Sequence, residues 1–193
     1  MANAKELKDR IRSVGDTRKI TNAMYLIASM KMRKAKAELD GTRPYFEAIR
    51  GEIKRIFRTV QDVQSQYFYP DSGEPPLHGP YACLVITADK GLAGMYNQNV
   101  IKKAEAMLVQ YPDTKLFVVG EYGRQYFARH KIPVERSFLY TAQNPTMQRA
   151  REISEILLEL FRSSAAQKIF VLYTDMKNGL SEAQKETISK RLT

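Results

Sequence analysis

The sequence predicts an α/β domain of three layers, with a mostly parallel sheet covered on both faces. To this is joined a long projecting N-terminal helix that forms half of a coiled coil. Three observations carry the reading. Residues 7–39 place apolar side chains at alternating steps of four and three, the heptad spacing of a helix seam. After residue 80, short apolar runs rich in strand-forming residues alternate with amphipathic stretches, as expected of strands buried on both faces. The excess positive charge lies almost wholly within residues 1–58.

The helix seam reads Leu7, Ile11, Val14, Arg18, Thr21, Tyr25, Ala28, Met32, Ala35, Leu39, and only Arg18 and Thr21 break its apolar character. A second stripe, Ile20, Ala23, Met24, Ile27 and Met30, lies on a different face. A helix apolar on two faces belongs between partners rather than on one surface. It runs roughly 50 Å, longer than a compact domain of this size is wide, so it is expected to project. Gly41-Thr42-Arg43-Pro44 interrupts it. Pro44 cannot donate to the carbonyl of Asp40, and its ring crowds that turn. The seam nevertheless continues, partly apolar and in register, through Arg43, Phe46, Arg50, Ile53, Phe57 and Val60, which a hairpin would have no reason to do. One helix over 1–60, kinked near 41–44, is therefore expected.

Residues 61–80 gather Pro75, Pro76, Pro80, Gly73 and Gly79 and read as a linker and domain boundary, with His78 a solvent-facing loop residue. The α/β domain follows over 81–175. Strands are expected at Tyr81–Thr87, Lys115–Gly120, Val134–Leu139 (the weakest) and Lys168–Thr174. Helices are expected at Met95–Tyr111, Tyr122–His130 and Pro145–Ser163, the last with proline at its start. Residues 176–193 read as a polar, mildly helical tail that completes no element, as a truncated chain would.

The chain has 193 residues and a net charge of +10. Residues 1–58 hold 15 Lys and Arg against 7 Asp and Glu, whereas 59–193 hold 16 against 14. Two basic runs, Lys5 to Arg12 and Lys31 to Lys36, flank apolar helix and favour an acidic partner: nucleic acid, anionic lipid or an acidic protein. No apolar run approaches the 18 or so residues of a membrane span. The start, MANAKELKDR, lacks the apolar core of a secretory signal and carries Glu6 and Asp9, so a cytosolic chain is expected. The single Cys83 allows no internal disulfide.

The stretch after the first strand, Ala88-Asp89-Lys90-Gly91-Leu92-Ala93-Gly94, tests a nucleotide-binding reading. It is Gly-X-X-Gly, without the further small residues that let backbone N–H groups close on a phosphate. The glycines are read instead as permitting a tight strand-to-helix turn, with Asn97 near the helix start and Asp89 a turn or salt-bridge residue. His78 and His130 have no neighbours at metal-ligand spacing, and Cys83 sits mid-strand where a small buried hydrophobe is the default. No catalytic residue, cofactor site or metal site is expected, and an interaction or mechanical role follows.

Two segments resemble a known family. Thr17-Arg18-Lys19-Ile20-Thr21-Asn22-Ala23-Met24-Tyr25-Leu26-Ile27-Ala28-Ser29-Met30-Lys31-Met32-Arg33-Lys34-Ala35 resembles the N-terminal helix signature of the F-type ATP synthase gamma subunit. Ile86 to Val100 resembles the segment after that family's first sheet strand, and Lys168 to Thr174 its late strand. The resemblance implies a non-catalytic rotor shaft in the central stalk, turning within a ring of alpha and beta subunits and coupling proton-driven rotation to ATP synthesis. It implies an epsilon subunit and a ring of c subunits as further partners, and no cofactor. It also implies a peripheral place on the cytoplasmic face of a bacterial membrane. It makes Lys19, Ile20, Met24, Ile27, Lys31, Arg33 and Lys34 the candidate shaft-to-ring contacts, the basic ones suited to an acidic lever on the beta subunits. The family's C-terminal helix, which pairs with the seam, is not found in this sequence, so a truncated or divergent form is expected. Tyr25, and Met95-Tyr96 after the glycines, are bulkier than the family pattern. The alternative is a nucleic-acid-binding module with a basic helical arm. Apolar residues on two faces oppose it, because a duplex-tracking helix spreads polar contacts over one face.

Overall fold

The computed structural model describes residues 3–60, Tyr67, 79–178 and 181–189. It divides into two compact units, one ending at Val63 and the other beginning at Gln64. Most of the expected linker at 61–80, including His78, lies outside the described residues.

The first unit is α1 (Ala4–Thr59), a single helix of 56 residues. Asn3 caps its start, the side-chain oxygen accepting from the Lys5 N–H at 3.4 Å, and Glu6 in the first turn complements the helix dipole. The helix continues through Pro44 rather than turning back. Proline leaves the Asp40 carbonyl without its helical donor. Two residues before the proline, the Thr42 hydroxyl donates to the Glu38 carbonyl at 2.8 Å, a bond that further loads this stretch of helix.

The second unit holds β1 (Tyr81–Ile86), α2 (Tyr96–Gln110), β2 (Thr114–Val119), α3 (Glu121–Arg129), β3 (Arg136–Phe138), α4 (Met147–Arg162), β4 (Lys168–Asn178) and β5 (Ser181–Ser189). The sheet order is β3-β2-β1-β4-β5. The first four strands are parallel, and β5 runs antiparallel to β4. Side chains alternate across the central strand. Cys83 and Val85 join Leu116, Phe170, Ile101 of α2 and Phe127 of α3 on one face. Ala82 and Leu84 join Phe117, Ile169 and Ile153 and Leu157 of α4 on the other. Helices on both faces make three layers, as expected from apolar strands with no polar side.

Residues 181–189 correct the expectation of a mildly helical tail: they form a strand, paired from Ile169↔Ser189 to Asn178↔Ser181. Their sequence, SEAQKETIS, has little intrinsic strand preference. The unpaired backbone edge of β4 is what recruits them, since ladder hydrogen bonds offset weak local propensity.

Candidate partner-binding site

All seven candidate contact residues lie on α1. At 100° per residue, Ile20, Met24, Ile27, Lys31 and Lys34 fall within an arc of about 80°, Lys19 lies about 60° to one side of it, and Arg33 lies about 100° away. The helix thus brings five together and leaves Arg33 apart. The seam from Leu7 to Leu39 is centred about 120° around the cylinder from this arc, so the two stripes are separate faces. Ile20, Met24 and Ile27 are 62, 54 and 50% exposed, as are the larger seam residues Ile11, Val14 and Tyr25 at 66, 69 and 70%. Two apolar stripes presented this way mark interaction surface.

Charge frames the arc. Lys19 Nζ is 3.3 Å from Asp16 Oδ1 and Lys34 Nζ is 3.9 Å from Glu38 Oε1. Both pairs are solvent-exposed and worth a few tenths of a kcal/mol, so either lysine can be redirected to a partner carboxylate at little cost. Lys31 and Arg33 have no ion pair among the described residues.

The glycine-containing loop after β1 has another task. Gly120, the cap position of α3, has φ +96 and no side chain to cap with, and a Cβ there would collide with the Thr87 carbonyl. The tripeptide Thr87-Ala88-Asp89 supplies the cap from across the sheet. Asp89 Oδ1 accepts from Glu121 N–H at 3.1 Å, the Ala88 carbonyl from Tyr122 N–H at 3.1 Å, and Thr87 Oγ1 from Gly123 N–H at 3.0 Å. The first three donors of α3 are therefore occupied by protein. Asn97, buried at the start of α2, accepts from the Ala88 N–H at 2.8 Å. Asp89 is thus a turn residue, as expected, but its capping role and that of Thr87 were not legible. The signal was a glycine where a helix cap belongs.

Glu121 itself sits against Arg124, whose Nε donates to it at 2.7 Å. That bond, helped by Gln125, holds the Glu121 carboxyl down to about 2. Across α2 and α3, Tyr126 donates to Glu105 at 2.9 Å, and this pushes the phenol up. Among the described residues no three His, Cys, Asp or Glu side chains converge on one point, and no helix is long and apolar enough to cross a membrane.

Fold and site together define a class: a parallel-sheet α/β unit joined to a very long helix with two apolar faces and a basic margin. The match to known proteins narrows it. Residues 3–191 match the family model described as ATP synthase, and the chain belongs to that family. It is 45% identical over 173 residues to the ATP synthase gamma chain of Caldanaerobacter subterraneus subsp. tengcongensis, covering 90% of this chain and 58% of that one. To the gamma chain of Acetivibrio thermocellus it is 40% identical, covering 91% and 59% respectively. The chain therefore spans a little under three fifths of these relatives' length. Its fold is similar to a chain in the central stalk and c-ring of the Tetrahymena thermophila mitochondrial ATP synthase, with TM-score 0.67, 21% identity, and 88% of this chain and 71% of that one covered.

Proposed function

We propose that this chain forms the rotor, or central-stalk, part of an F-type ATP synthase: a non-catalytic shaft that couples proton-driven rotation to ATP synthesis in the alpha and beta subunits. The observation that carries this is α1 with its two separate apolar faces. One helix cannot bury both on itself. The Leu7–Leu39 seam suits a second helix, and the separate arc of Ile20, Met24, Ile27, Lys31 and Lys34 suits a surrounding ring with acidic patches. Lys19 and Arg33 flank that arc as outer contacts. The gamma chains named above support the reading. The α/β unit would face the epsilon subunit and the c-subunit ring, at the cytoplasmic side of the membrane.

Affinity capture with purified alpha and beta subunits tests this. The expected result is co-purification that weakens as salt rises, since part of the contact is charged. Failure to bind either subunit, together with tight DNA binding of steep salt dependence, would replace the rotor with the nucleic-acid arm.

A further inference from the structure

We propose that Asp89 is a two-armed latch that makes the β1–α2 loop, the start of α3 and the β3–α4 loop move as one body. Each carboxylate oxygen holds a different segment. Oδ1 accepts from the Glu121 N–H at 3.1 Å, and Oδ2 accepts from the Gln143 N–H at 3.0 Å. Those donors lie 32 and 54 residues further along the chain. Among the described residues, no other hydrogen bond joins the 88–95 loop to the 139–146 loop.

Both loops need holding. Leu92 has φ 60 and Tyr140 has φ 58, left-handed conformations that bulky residues keep only when their surroundings impose them. Leu92 is 99% exposed and Tyr140 is 74% exposed, so packing of these side chains does not impose them. The parallel topology places both loops beyond the C-terminal ends of β1 and β3, the strands on either side of β2, where a single carboxylate reaches both. Because the two acceptors share one carbon, a side chain that lets go of one donor is free to rotate away from the other. The order of the two loops is thereby coupled. Gly120 makes the latch necessary, since α3 has no cap of its own.

Amide hydrogen exchange on this chain tests the latch. In Asp89→Ala, exchange is expected to rise about tenfold at Glu121 and, together with it, through 140–144, the loss of one hydrogen bond at each arm. Amides of β1, β2 and β4 should be unchanged. Asp89→Asn, nearly isosteric, keeps the fold if alanine does not. It retains one acceptor, so one arm should open by the same factor and the other by less. Wild-type exchange through 140–144 in both variants would reduce Asp89 to a helix cap. An equal rise across the sheet amides would make it a residue of global stability. Either outcome overturns the latch.

Discussion

Ile20, Met24 and Ile27 of α1 are half or more exposed, whereas Ile101, Val118 and Phe127 of the α/β unit are wholly buried. Both sets sit in regular helices or strands. The difference lies in how many apolar faces each element carries and what its own unit offers to cover them. The sheet and its helices close on each other in three layers. The single helix of the first unit has nothing among the described residues of that unit to close on. Apolar residues in the α/β unit therefore contribute to the stability of the fold, and those of α1, on the proposed rotor reading, to the stability of an assembly. A substitution in one unit should leave the other's readout unmoved.

The largest effect is expected from Met24→Lys in an assembled rotor. An unpaired ammonium forced into a buried contact costs about 3–5 kcal/mol, enough to abolish ATP-driven proton pumping while the α/β unit melts at its wild-type temperature. Loss of both together would break the comparison. Next, Ile101→Ala removes a wholly buried side chain and should lower the stability of the α/β unit by about 3 kcal/mol in denaturant titration, with the helical signal of α1 unaffected. Thr87→Val keeps the shape but strips the acceptor from Gly123 N–H and the donor to the Val119 carbonyl. Buried amides left unmatched cost about 1–3 kcal/mol, seen as a lower melting temperature and faster exchange at the start of α3.

The smallest effect concerns acid. Glu121 titrates near 2 in the folded chain against 4.5 ordinarily, chiefly through Arg124. A depressed carboxylate contributes stability that is present above 4.5 and is lost as pH falls through about 2. Glu121→Gln should therefore lower stability slightly at neutral pH and leave it unchanged near pH 2, which flattens the acid limb below 4.5; the effect is small because solvent screens this partly buried pair.

Much of the α/β unit was legible because its strands are continuous apolar runs. Tyr81–Ile86, Thr114–Val119 and the start of β4 are greasy on both faces, and a run of that kind has few other fates. The edge β5 was not legible: Ser181–Ser189 carries polar residues that local preference would leave helical or irregular. The two faces of α1 were readable from spacing alone, since helical periodicity is a property of the chain itself. The cap on α3 was hidden because Thr87 and Asp89 are distant in sequence from the amides they serve.

By itself, the amino-acid order determined periodicity: a helix with a seam and a second stripe, a basic margin, and buried strands between amphipathic helices. These follow from where apolar side chains fall on a repeating backbone. Tertiary structure alone decided which polar groups meet, namely Asp89 with Glu121 and Gln143, Thr87 with Gly123, and β5 with the open edge of β4. Such pairings satisfy backbone donors and acceptors, which every residue but proline carries alike, so no side-chain pattern announces them until the chain has closed.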